Sequence, residues 1–443
     1  MARKGLICPV LLYTKTNSPR LQYIAHFLGS YFETEVEITS DLRVFTTHTG
    51  VRINYSEQRL SPSELWIAPV ELLFQQGIQP VTINIFDHPR GYKAFFQTAC
   101  PYRFDLFAAI FYLISRYEEY LPHQKDSYGR YAHTGSLAFR EGFLHLPLVN
   151  IWLHHFLEQV LEIFRDAKLR TPPYRFVPTY DIDIAWSYQH KGLLRNAGGA
   201  ARSLISGNWA ELGERGQVLL RRKEDPYDSY QWMDRMHDAL RLKPIYFFHV
   251  GLKRYSFDKN TPVRSAAFQQ LIRKVAGKYG VGLHPSWRSG TVAGILEKEK
   301  TALESFTGGE IMASRQHYIR LSLPTTYEQL LAAGIRDDYS MGYGSINGFR
   351  ASVAFPFFFY NLEKEEATNL LVHPFCYMEA NSFFEQQLTA EEALGEMLHY
   401  HNAIKKAGGT CITIWHNHFL GEAKRYAGWR EIYKKALELI SAS

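Results

Sequence analysis

"VPTYDIDIAW", residues 177–186, sets Asp181 and Asp183 one residue apart at the end of an apolar run. The run reads as a buried β-strand. Side chains on a strand alternate, so the two carboxylates point to one side of the backbone. Two like charges held together cost free energy unless a cation lies between them. Downstream, apolar strands alternate with helical stretches. The strands read as "PIYFFHVG", "YGVGLHPSW", "ASRQHYIRL", "NLLVHPF" and "GTCITIWHNHF". Between them lie helices such as "SAAFQQLIRKVAGKYG" and "TAEEALGEMLHYHNAIKKAGG", the latter with Thr389 as N-cap and Gly408–Gly409 as the stop. Such alternation predicts an α/β fold with a parallel sheet or a (β/α) barrel, in which chemistry gathers at the carboxyl ends of the strands.

Polar groups stand at those ends. Asp181 and Asp183 close the first strand and His284 closes "GLHPSW". Arg315 and His317 share one face of "SRQHY", and His416 ends "ITIWH", with Ile412 and Ile414 on its face as the packed part. A lone strand-end histidine is more often structural than functional, and a lone D-x-D is common by chance. The joint pattern points to an active site.

The order and local motifs of these residues resemble the polysaccharide deacetylases of the NodB homology domain, over about residues 175 to 430. "TYDID" resembles the first motif of that family and "HPSWR" matches its second in part. "RQHY" matches the third in part, with His317 in place of proline, and "ITIWH" resembles the last. "TTYEQLLAAGIRDDYSMGY" resembles the passage after the third motif. The resemblance implies a distorted (β/α) barrel of the NodB type that hydrolyses an N-acetyl group on a polysaccharide or glycan precursor. It implies Asp181 as general base, and Asp183 and His284 as ligands of a divalent metal, usually Zn2+. Arg315 would keep Asp181 charged and oriented by paired hydrogen bonds. The backbone N–H of Tyr318 would bind the oxyanion, and His416 would protonate the leaving amine. Trp287, Trp415 and Arg350 are further substrate-binding candidates, and Asp338 a supporting group.

One position departs from the family pattern. The other metal histidine falls four residues after His284, where this chain has Arg288, which cannot ligate a cation. His317 is the first candidate to replace it and His373 a poorer one. Either the Arg288 guanidinium swings out of the site, or it occupies the metal's place between Asp181 and Asp183. Under the second arrangement the chain would be a degenerate barrel that binds carbohydrate or acts as a scaffold. A chitinase-like glycosidase needs D-x-D-x-E, and the fifth position of that string is Ala185.

The clearest boundary is "RDAKLRTPPYRF", residues 165–176, where Pro172 and Pro173 disfavour helix. It predicts a smaller N-terminal α/β domain over 1–168 and the deacetylase-like barrel over 169–443. The larger match is to bacterial two-domain relatives whose first domain carries a "SRYEEY" helix. In this chain "FDLFAAIFYLISRYEEYL" reads as a buried helix led by Asp105, and Glu118 and Glu119 read as solvated or interface charges. "MARKGLICPVLLYTKT" reads as a first strand rather than a signal peptide.

The 443 residues are 46% hydrophobic and 21% charged, with net charge +6. That balance suits a globular enzyme or binding protein and carries no nucleic-acid motif. "LLRRKEDPYD", with Arg221, Arg222 and Lys223, reads as a solvated helix end rather than a phosphate site. The 28 Tyr and 29 Phe predict an aromatic core, with some rings lining a sugar groove. Cys8, Cys100, Cys376 and Cys411 show no metal or disulfide spacing, and no run is long enough to span a membrane. The expected place is the cytoplasm.

Overall fold

The computed structural model describes residues 10–253 and 255–442; Cys8 lies outside them. Two main sheets organise the chain. The first has parallel strands β1 (Val10–Tyr13), β2 (Val36–Thr39), β3 (Arg52–Tyr55) and β4 (Leu65–Ile67), in the order β2-β1-β3-β4. A small hairpin of β5 (Phe86–His88) and β6 (Tyr92–Ala94) follows. The apolar run behind Asp105 forms the helix Leu106–Ile114, buried on every side as expected. Asp105 caps it by accepting from the N–H of Ala108, and its other oxygen accepts from Tyr55 and from the N–H of Val70.

The second sheet holds the strands that carry polar ends. They are β7 (Arg175–Ile182), β8 (Ile245–Phe248), β9 (Gly280–Leu283), β10 (Ala313–Ser314), β11 (Asp337–Asp338), β12 (Phe357–Asn361), β13 (Glu366–Val372), β14 (Tyr377–Met378) and β15 (Thr410–His416). Their order is β12-β13-β11-β10-β9-β8-β7-β15-β14. All pairings are parallel except β12 with β13. Pro178 interrupts an otherwise apolar strand, yet β8 pairs with β7 only from Thr179 onward, so the missing N–H falls where β8 has not begun.

The expected barrel is met in part. The fold is mixed α/β, and no hydrogen-bonded pairing between β12 and β14 closes the sheet among the described residues. The sheet is nonetheless strongly curved. Arg315 follows β10, three strands from β7, a gap of about 14 Å in a flat sheet. Yet its guanidinium donates to Thr179 and Asp181 of β7 at 2.7 and 2.8 Å. The concave face encloses Phe247, Ile319, Tyr339, Phe375, Met378, Ile412 and Ile414 as one apolar cluster. Gly282 of β9 permits this packing: a Cβ there would stand 2.4 Å from the Phe247 ring. The convex face packs on helices, including Ala390–Ala407, where the expected N-cap Thr389 also forms a capping box with Glu392.

The two sheets share one large hydrophobic cluster, running from Val10 to Ile440. Polar bonds cross between the halves as well. Asn150 donates to the carbonyl of Gly408 at 2.7 Å and accepts from the N–H of Ala354 at 2.8 Å. Arg20 pairs with Glu365. Glu118 and Glu119 lie in this interface, buried rather than solvated, against Arg116 and Arg350.

Candidate functional site

Strand register assembles the site. His416 lies opposite Asp181 on β15 and β7. Asp183 extends β7 by one residue and shares the Asp181 side. His284 and Arg315 follow β9 and β10. All these ends except the fully buried Arg315 open on one cavity of about 330 Å³, lined by Asp181, Asp183, His284, His317, Tyr318, His416 and His418. Tyr128 and Arg130 also line it, from the N-terminal half.

Asp183, His284 and His317 each present a ligand atom, all within 4.8 Å of one another. His284 Nε2 is 3.1 Å from Asp183 Oδ1, and His317 Nε2 is 3.6 Å from it. No hydrogen bond satisfies this buried Oδ1. The hydrogen-bond partners on the far side of each ring explain why. His284 Nδ1 lies 2.6 Å from the carbonyl oxygen of Arg315, which only accepts, so Nδ1 carries the hydrogen. His317 Nδ1 faces Asp258 at 3.2 Å in the same way. On both rings Nε2 is thereby the nitrogen turned toward Asp183; a metal there would take the His284 lone pair and displace the Nε2 proton of His317, with the outer partners fixing the ring orientations. An orphaned carboxylate oxygen facing two imidazoles fits a divalent metal, and His317 stands where it could supply the ligand that Arg288 cannot.

The electrostatics agree. Burial would raise the Asp183 carboxyl, but His317, His284 and His416 outweigh it and hold the group well below the usual carboxylate range. Burial would lower His317, but Asp183 and Asp258 push it up to about 9. The cluster therefore attracts positive charge. His249 and Asp258 form a second group that shares His317. His249 donates from Nδ1 to the carbonyl of His284, and burial with the neighbouring His317 lowers it to about 3.

Asp181 is held by Arg315 through Nη1 alone; the same nitrogen reaches Thr179, and Nε donates to the carbonyl of Tyr339. The expected paired bonds are thus a single bond, and the Phe247 ring lies 4.3 Å from the guanidinium. His416 is fixed by Glu379, one oxygen of which accepts both the backbone N–H at 2.8 Å and Nδ1 at 2.7 Å. His416 Nε2 faces Asp183 Oδ2 at 3.6 Å. Burial opposes its charge, but Glu379, Asp183 and Asp181 push it up to about 10, so the ring is protonated at neutral pH.

Tyr318 lies at the mouth, in the left-handed region with φ 58°. Its carbonyl accepts from Arg130 at 2.7 Å, a bond from the N-terminal half to the Tyr318–Ile319 peptide. Trp287, an expected substrate contact, does not line the cavity: it lies between Phe257 at 4.3 Å and the Arg320 guanidinium at 4.4 Å and meets Tyr128 and Tyr318 edge-on.

Several expected residues stand elsewhere. Trp415 is fully buried on the opposite face of β15, against Tyr377, Trp429 and Tyr433, because alternation turns it away from His416. Arg350 is buried with Glu119 and does not line the cavity. Asp338 accepts from Ser340 and Ser314, and His373 pairs with Asp337. Arg288 stacks on Tyr255 at 4.4 Å, outside the cavity, which is the swung-out placement.

Residues 10–165 match a family of unknown function, DUF7033. No curated protein sequence matches the chain. The chain is similar to solved polysaccharide deacetylases. One, provisionally named so, from Mycobacterium smegmatis, is 13% identical with a TM-score of 0.39, covering 61% of this chain and 85% of that one. The polysaccharide deacetylase Bc1974 from Bacillus cereus is 8% identical with a TM-score of 0.28, covering 60% and 88%. A BA3943 mutant, a CE4 family pseudoenzyme with restored enzymatic activity, is 7% identical with a TM-score of 0.26, covering 61% and 62%.

Proposed function

We propose that the protein is a metal-dependent deacetylase that hydrolyses an N-acetyl group on a polysaccharide or glycan precursor, giving acetate and a free amine. The observation that carries this reading is the cavity in which Asp183, His284 and His317 present converging ligand atoms between Asp181 and His416. These three residues would hold the metal, Zn2+ being the ion their mixed N/O donors suit. When bound, it would polarise the amide carbonyl and lower the pKa of water. Asp181, oriented by Arg315, takes the proton from the attacking water. His416, kept protonated by Glu379, gives a proton to the departing amine. The Tyr318 N–H is the oxyanion donor, with Arg130 holding the same residue from its carbonyl side. Tyr128 and Tyr318, which line the cavity, offer aromatic edges to a sugar. The division into 1–168 and 169–443 belongs to the same reading, with the first part supplying one wall of the site.

The test pairs metal content with acetate release from N-acetylglucosamine oligomers and peptidoglycan fragments. Asp181→Asn should keep the metal and lose about 10²–10⁴-fold in rate, whereas Asp183→Asn should lose the metal as well. A chain that takes up no zinc on titration would sink this reading and leave the degenerate scaffold.

A further inference from the structure

Between β7 and β8 the chain makes two helices, Leu193–Ile205 and Trp209–Leu219. In the first, Leu193, Leu194, Leu204 and Ile205 fall on one stripe, at i, i+1, i+11 and i+12. On a surface helix such a stripe ordinarily faces the core. Here the orientation is reversed. Asn196 and Ser203 are buried, while Leu193, Leu194 and Ile205 are 90%, 91% and 87% exposed. Trp209 and Leu220, each 66% exposed, continue the patch. Single exposed leucines need no explanation, but a contiguous set of this kind does.

The inversion is built in. Arg215, buried under the first helix, donates to Asn196 and Glu211 and lies over the Tyr188 ring. Gly199 makes room for it: a Cβ there would stand 2.5 Å from the Arg215 guanidinium. Asp225 accepts from the N–H groups of Ser187, Tyr188 and Gln189, fixing the point where the excursion starts. The polar side is thus satisfied against the protein, and the apolar side is left outward.

Charge selects the partner. Residues 189–224 contain seven Lys and Arg against three Glu. Arg202, Arg221 and Arg222 are exposed beside the apolar stripe. Two copies meeting through this face would bring like charges together, whereas an anionic lipid surface complements them. An exposed apolar stripe with basic flanks and a tryptophan is the composition of a helix lying in a bilayer interface. No helix among the described residues is long and apolar enough to cross a membrane, so the contact is peripheral.

We propose that this helical pair docks the protein on an anionic membrane surface. The docking element is tied to the site. Asn417, next to His416, reaches the carbonyls of Ile184, Ala185 and Tyr227, at both ends of the excursion. The excursion therefore starts and ends beside the strand ends where the cavity opens.

The experiment is flotation of the full chain with extruded vesicles, either pure phosphatidylcholine or with about a third of phosphatidylglycerol. The native chain should float with the anionic vesicles, and binding should fall at least about tenfold without anionic lipid or in high salt. Leu194→Glu with Ile205→Glu should lower binding at least about tenfold, with an unchanged thermal midpoint because both positions are exposed. Arg221→Ser with Arg222→Ser should weaken the preference for anionic lipid. Absence of flotation by the native chain, or equal flotation by the Leu194→Glu/Ile205→Glu protein, overturns the proposal. So does a native dimer that this pair of substitutions splits without any vesicle binding, which would assign the face to a second copy.

Discussion

His317 has two tasks in the geometry: Nε2 faces Asp183, and Nδ1 is held by Asp258. Asp258→Asn keeps the shape but weakens the acceptor that fixes the ring, so metal affinity should fall about 10–100-fold, read by competition titration with a chromophoric chelator. His317→Ala should lose the metal and Arg288→Ala should leave affinity unchanged; a large loss in Arg288→Ala would return that residue to the site. At this scale the sequence was legible where a polar residue closes an apolar strand, as for Asp181, His284 and His416. His249 closes "YFFH" with the same signature and was passed over. Asp258 and Glu379 lie outside the strands, and no periodicity marks them. Trp415 could have been excluded by alternation alone, since His416 beside it faces inward.

At the level of elements, "SRYEEY" shows how little local pattern says about burial. Arg116 pairs with Glu118 and Glu119, and Glu119 takes two bonds from Arg350 of the other half. Burial would raise the Glu119 carboxyl, but Arg350 and Arg116 hold it at about 2. Breaking such a network from one side leaves an uncompensated charge in the interior. Arg350→Met and Glu119→Gln should each destabilise the protein by about 3–5 kcal/mol in urea titration. A loss below about 1 kcal/mol in both would show that the network behaves like a surface pair. The long helices and β7, β8, β9 and β15 were readable from apolar runs and caps. β10 was read in "ASRQHYIRL" but ends after Ser314, and the two-residue β11 and β14 were not readable, because pairing with neighbouring strands, rather than local propensity, defines them.

For the molecule as a whole, acid resistance depends on buried neutral histidines. His237 donates or accepts only toward Tyr180 at 2.6 Å, and its Nδ1 is buried without a partner. Burial lowers its pKa to about 4. An unfolded chain takes the proton near pH 6.5, so this contribution is complete above that pH and is lost as pH falls toward 4. Between pH 7 and 5 the native chain should lose about 2 kcal/mol more than His237→Gln, at about 1.4 kcal/mol per pH unit. Equal losses in parallel denaturation curves would remove His237 from the account. The shared cluster from Val10 to Ile440 has another consequence, during biosynthesis. A ribosome releases the first 165 residues while Gly408, Ala354 and Arg350, which satisfy Asn150 and Glu119, are still unmade. The helix Leu106–Ile114 must wait with its apolar surface unfinished, so yield of the nascent chain should depend on chaperone supply until translation is nearly over.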